Sequence, residues 1–190
     1  MWLKSLFDYV FALILLLVLF PVILILVVLS SIDTREFGIF TQERIGKGGS
    51  LFSIYKIRTM KTGSDSDEAK AISRFGRFLR KSKLDETPQI FNILTGQMSF
   101  VGPRPDVPGY ADRLEGEDRI ILKFKPGLTG PAQLAFRNEE YLLSLQENPL
   151  EYNDKILWPE KVRINKEYVR GWSYSRDLKY FLGTFIQLFK

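Results

Sequence analysis

From Val10 to Leu29 every residue is apolar, Pro21 included. Twenty helical residues at ~1.5 Å each reach about 30 Å, the thickness of a bilayer hydrocarbon core. A run this long is no ordinary amphipathic surface helix, and it divides the 190-residue chain into two unlike parts. Residues 1–32 carry one lysine and one aspartate, Lys4 and Asp8, so the formal charge of +5 belongs to residues 33–190. A cleaved signal peptide has a basic start, a shorter apolar stretch and small residues before the cut. Here the start carries only Lys4, and Ser30-Ser31-Ile32-Asp33 is a poor cleavage site. The expectation is an uncleaved membrane anchor over residues 1–32 and a soluble domain over 33–190. Pro21 sits within the run, where a proline removes a backbone hydrogen bond and bends a helix. The residues alone leave two outcomes open: a kinked spanning helix, or a broken hairpin that enters and leaves by one face.

The chain has no histidine and no cysteine. That excludes a thiol nucleophile, an imidazole base, a Cys/His zinc site and a disulfide framework. Catalysis is left to carboxylates, Lys/Arg, hydroxyls, backbone groups or an oxygen-liganded cation.

Along the soluble part, residues 38–60 alternate as strands around a Gly-rich turn at Gly46-Lys47-Gly48-Gly49. The period of two places Lys56 and Arg58 on one face of the second strand. A hydrophilic loop, Lys61–Glu68, carries Asp65, Asp67 and Glu68; it reads as solvated, with cation binding the alternative. Ala69–Lys83 is expected to be helical, with Phe75, Phe78 and Leu79 as an apolar stripe and Arg74, Arg77 and Lys81 at helical spacing. Such a helix suits either an anionic membrane surface or ordinary packing; the neighbouring anchor favours the membrane.

Leu84-Asp85-Glu86-Thr87-Pro88-Gln89 is the most informative segment. Thr87 is read as an N-cap, Pro88 as the first helical residue and Gly96 as the stop. Two adjacent carboxylates then sit at a helix N-terminus. They complement the dipole, or they mark a place where Asp85 stays ionised and phosphate docks. Ser99–Pro105 frames Arg104 between prolines, a rigid presentation suited to phosphate. Lys125–Gln133 is rich in glycine, and Gly127 and Gly130 allow close backbone approach, but one such loop is weak evidence. The C-terminal Asp177–Lys190 carries Tyr180, Phe181, Phe185 and Phe189, read first as core packing and second as interfacial contact.

The ordered set resembles the small monotopic bacterial phosphoglycosyl transferases of the bacterial sugar transferase family. The matching pieces are Phe40–Arg44, Ile54–Met60, Leu84–Gln89, Met98–Pro105, Pro126–Gly130, Gln133, Arg137-Asn138, Trp172-Ser173 and Asp177-Leu178. Their shared order covers the chain from the anchor to about residue 184, and the chain looks like the minimal catalytic form without further N-terminal membrane helices. Two positions depart from the family's pattern: Phe20 stands before Pro21, where serine is frequent, and Pro131 replaces a bulky apolar residue.

The resemblance implies an α/β fold, mostly helical with a small β-hairpin. A re-entrant helix-break-helix broken at Pro21 would precede a cytosolic catalytic domain with membrane-surface amphipathic helices. It implies a phosphosugar transferase acting at the cytoplasmic face of the bacterial inner membrane, as the first membrane step of a glycoconjugate pathway. Asp85 would attack the β-phosphate of a UDP-sugar, release UMP, and pass the phosphosugar to undecaprenyl phosphate. Glu86 would assist as base or orienter, Arg104, Lys56, Arg58 and Arg137 would hold phosphates, and Gly127, Thr129, Gly130 and Gln133 would form the nucleotide-sugar loop. Mg²⁺ is the implied cofactor, with Asp85 as its ligand. The lipid bilayer is a partner, and a homo-oligomer is admitted. Two rival classes are disfavoured. A nucleic-acid binder needs more clustered basic residues, and a non-catalytic scaffold has no need of Asp85, Glu86 and Arg104.

Overall fold

The computed structural model describes residues 2–61 and 72–188. Asp65, Asp67 and Glu68 of the acidic loop, residues 69–71 of the expected helix and Phe189 lie outside the described residues, as does the side chain of Phe185. The chain is mostly helical, with one two-stranded sheet β1–β2 and a second short pair β3–β4. It divides into two compact units, residues 1–43 with 52–96, and residues 44–51 with 97–190.

In the first unit, α1 (Trp2–Thr34) is one helix with Pro21 inside it. The sequence reading expected helix, break, helix; the backbone instead keeps helical form across the proline. The missing Pro21 N–H is a local loss in a long helix whose other turns remain hydrogen-bonded. Residues 13–29 leave Leu13, Ile14, Leu17, Val18, Phe20, Val22, Leu24, Ile25, Val28 and Leu29 exposed, and the helix is long and apolar enough to cross a membrane. The far end is anchored: Ser30 Oγ donates to Arg58 O at 2.6 Å, and Gly38 N donates to Ser31 Oγ at 2.8 Å. A Cβ on Gly38 would lie 2.1 Å from Val27 O, so only glycine admits this reversal.

β1 (Ile39–Ile45) and β2 (Leu51–Ile57) form the expected hairpin, with a 3-10 turn at Lys47–Gly49. Helix α2 (Arg74–Lys81) is shorter than expected and starts at Ser73, whose hydroxyl accepts from Gly76 N at 2.8 Å and donates to Asp33 Oδ2. Leu79 is buried whereas Phe78 is 56% exposed, so the apolar stripe is only half used for packing. A 3-10 turn (Leu84–Gln89) leads into α3 (Ile90–Leu94), which ends before Gly96 at φ 78°. Thr87 is not the cap expected of it: its hydroxyl donates to Leu84 O at 2.8 Å, inside a turn already begun, and Pro88 is buried within that turn. Buried Asn92 on α3 donates to Ser53 O at 2.7 Å and accepts from Tyr55 N at 3.2 Å. One amide thereby occupies the edge of β2 and fixes the turn before it.

In the second unit, β3 (Ser99–Val101) and β4 (Gly127–Thr129) pair in parallel, Ser99 opposite Gly127 and Val101 opposite Thr129. Pro131 is buried as the first residue of α4 (Pro131–Ala135), so this departure from the family pattern starts a helix, a position that suits proline. Beyond it lie α5 (Glu139–Ser144), α6 (Pro149–Tyr152), a π turn at Asn153–Leu157, α7 (Trp158–Arg170) and α8 (Tyr174–Leu188). Buried Tyr168 donates to Asp177 Oδ1 at 2.6 Å, and Trp172 Nε1 donates to Asp177 Oδ2 at 3.1 Å. Both oxygens of that buried carboxylate are thus satisfied, which tethers α7 to α8. Tyr180 packs edge-on to buried Tyr168 and Phe181 to buried Phe100, so these two half-buried stripe residues pack against the core.

Candidate active site

The first unit gathers a carboxylate pair and cations at the 3-10 turn. Asp85 is 8% exposed, and its Oδ1 is buried with no hydrogen-bond partner among the described residues. Glu86 Oε1 meets Lys56 Nζ at 3.3 Å, and Lys56 shares the strand face of Phe52 and Ile54. Arg80 is held by Thr59 Oγ1, to which its Nε donates at 2.9 Å. Burial, then the Glu86 charge, raises the Asp85 pKa above its ordinary value, against the opposing pull of Lys56, Lys83 and Arg80. The sequence reading places Asp85 at a helix N-terminus, either complementing the dipole or staying ionised where phosphate docks. The carboxylate instead lies inside the turn, where desolvation outweighs the nearby cations.

Arg58 does not join this group. Its Nε donates to Phe37 O at 2.9 Å, its guanidinium pairs with Glu36 at 3.1 Å, and it lies over the Phe40 ring. It ties the connection between α1 and β1. The predicted shared face with Lys56 ends because β2 stops at Ile57.

The remaining predicted residues fall in the second unit. Arg104 is exposed on its proline-flanked turn. Beside it is Asp106, a residue the sequence reading passed over although it comes directly after Arg104-Pro105. Burial pushes the half-buried Asp106 carboxyl up to about 7, against Lys161, Arg104 and Arg44, with Glu139 adding to the rise. Its backbone carbonyl accepts from Ile45 N at 2.8 Å. No sequence signal pointed to Lys161, which reaches this group from α7 and pairs with Glu139 at 2.5 Å. Because the folded state holds the Asp106 proton more tightly than the unfolded chain, this group's contribution to stability declines as pH rises from about 4 to 7. Asp106→Asn is expected to flatten part of that decline in thermal melts between pH 4 and 8; an unchanged slope rejects the assignment.

The glycines of the expected nucleotide-sugar loop have a packing duty. A Cβ on Gly127 would sit 2.2 Å from Gly102 N, and one on Gly130 would sit 2.1 Å from Gly102 O. Gln133 Nε2 donates to Gly127 O at 3.4 Å, and the Thr129 hydroxyl bonds that of Thr184. Arg137 is exposed beyond α4. A separate concavity of about 600 Å³ in the second unit is lined by Lys47, Arg119, Lys123 and Arg170 over Ile120 and Leu122, and includes none of the predicted site residues.

No cluster of three or more metal-ligating side chains is present among the described residues. Mg²⁺ takes one or two carboxylates together with substrate phosphates and water. The orphaned Asp85 Oδ1 is an oxygen acceptor of the required kind.

The model of the bacterial sugar transferase family matches residues 1–190. The UDP-glucose:undecaprenyl-phosphate glucose-1-phosphate transferase of Klebsiella pneumoniae is 32% identical over 98% of this chain and 39% of its own length. The protein of the same name from Caulobacter vibrioides is 32% identical over 95% of this chain and 67% of its own. The uncharacterized sugar transferase EpsL of Bacillus subtilis is 34% identical over 94% of this chain and 83% of its own. The chain thus spans between about two fifths and about four fifths of these relatives. With its matched motifs ordered along the whole chain, it belongs to the bacterial sugar transferase family.

Proposed function

We propose that this chain transfers a phosphosugar from a UDP-sugar to undecaprenyl phosphate, releasing UMP and forming undecaprenyl diphosphate-sugar. The observation that carries the reading is Asp85: a buried carboxylate with one oxygen lacking a hydrogen-bond partner among the described residues, beside a second carboxylate paired with Lys56. Undecaprenyl-phosphate sugar-1-phosphate transfer is the activity named for two of the relatives.

In the first step, an Asp85 oxygen attacks the phosphorus that bears the sugar. The bond from that phosphorus to the bridging oxygen breaks, and UMP leaves with the electron pair. In the second, an oxygen of undecaprenyl phosphate attacks the same phosphorus and the Asp85–phosphorus bond breaks, restoring the carboxylate. Carboxylate nucleophiles are competent for such intermediates. Burial serves the first step by leaving the Asp85 oxygen without solvent or donors to displace. Glu86, oriented by Lys56, lies next in the turn to steer the second phosphate or take its proton. Asp85 and the substrate phosphates would hold Mg²⁺, which when bound neutralises diphosphate charge. We place the reaction at the cytoplasmic face of the bacterial inner membrane, with α1 in the bilayer, because the long apolar helix supplies an anchor beside a lipid-linked acceptor.

The test is UMP release by the purified full chain with a panel of UDP-sugars, undecaprenyl phosphate and Mg²⁺. Turnover with at least one sugar, lost on chelation by EDTA and restored by Mg²⁺, is expected. No UMP from any sugar in the panel refutes the reading.

A further inference from the structure

Lys83 and Arg35 are the non-glycine residues with left-handed backbone among those described, at φ 57° and 60°. Lys83 lies just past the end of α2 and opens the 3-10 turn that carries Asp85; its carbonyl accepts from Glu86 N at 3.2 Å. Glycine or asparagine is the relaxed choice at such a junction, so a lysine here is held at a conformational cost. Strain of this kind at a reacting site is a reason to look for what the side chain does.

The other cations around Asp85 are already engaged. Lys56 is paired with Glu86, and Arg80 is hydrogen-bonded to Thr59. Lys83 has an exposed side chain that makes no ion pair or hydrogen bond among the described residues, yet its charge acts on Asp85. The carboxyls of Asp85 and Glu86 together carry two negative charges when ionised, and a diphosphate approaching them brings more. One cation at this turn is unspent.

We propose that Lys83 is a substrate-binding residue whose ammonium contacts the diphosphate of the nucleotide donor as it arrives over Asp85. The left-handed backbone turns the chain between the end of α2 and the buried carboxylate, keeping this lysine at the mouth of the turn. The proposal rests on the transferase reading for the identity of the donor, but its anion chemistry is testable apart from turnover.

The experiment compares the wild-type full chain with Lys83→Asn, Lys83→Gly and Lys83→Arg. Asparagine and glycine tolerate the left-handed backbone, so both variants should fold, with thermal midpoints equal to or above wild type. The KM for the UDP-sugar should rise about tenfold in both, a difference of ~1.4 kcal/mol, and depend less steeply on ionic strength. Arginine should keep KM within about threefold, since it preserves the charge. Independently, inorganic pyrophosphate with Mg²⁺ should raise the wild-type midpoint, and Lys83→Asn should lose most of that shift. Wild-type KM and an undiminished pyrophosphate shift in Lys83→Asn overturn the proposal, as does the lack of any shift in wild type. If no UDP-sugar is turned over, the transferase reading fails while the pyrophosphate comparison still decides Lys83.

Discussion

Asp85→Asn is expected to lower UMP release by about 10³-fold or more, to the background of the assay, while the chain folds at least as well as wild type. The expected loss follows from the proposed chemistry: a neutral amide oxygen is a poor nucleophile toward phosphorus, so the amide cannot form the Asp85–phosphorus bond. The preserved fold comes from burial. Asp85 is almost enclosed and its pKa is raised, so the ionised form costs the folded state free energy at any pH above the unfolded value. An isosteric amide removes that cost, and the thermal midpoint at pH 8 should hold or rise. Mass spectrometry of wild type trapped without acceptor should show the phosphosugar on Asp85. Full turnover in Asp85→Asn would falsify the covalent mechanism, and a collapsed fold would show that the carboxylate is structural.

Gly127→Ala should give a large stability loss, about 3 kcal/mol or more, because the new methyl would meet fixed backbone atoms on two sides. Its carbon would lie 2.2 Å from Gly102 N and 2.4 Å from Thr129 O, both backbone atoms of the parallel pair. At 2–4 °C per kcal/mol for a chain of this size, the midpoint should fall by about 6–12 °C. Gly48→Ala is the contrast: its φ is 73°, but nothing lies within 4 Å, so only the conformational cost of about 1 kcal/mol applies. Equal melting of Gly127→Ala and wild type would show that the two strands do not approach this closely.

The glycines mark where sequence reasoning and structure part. Gly127 and Gly130 were legible as positions of close approach, but what approaches is the Gly102 backbone. A one-dimensional pattern records the need for a missing Cβ and not the identity of the neighbour. Lys56 and Arg58 looked equivalent at a spacing of two; the end of β2 and the carboxylate of Glu36 separated them. Asp106 stands beside a residue already singled out, yet its raised pKa comes from burial by the fold, opposed by Lys161 on a helix that no local window contains.

What the sequence by itself determined is the division of the chain: a twenty-residue apolar run long enough to cross a membrane, and a remainder that lacks thiol and imidazole. Those are properties of composition and spacing, and they survive any folding of the rest. Only the tertiary structure decided the state of each group. Asp85 is buried inside a turn, Lys56 is paired with Glu86, and Lys83 is exposed at the start of that turn. The reason is physical: desolvation and pairing depend on neighbours brought together by folding, and they set which charges remain available to a substrate.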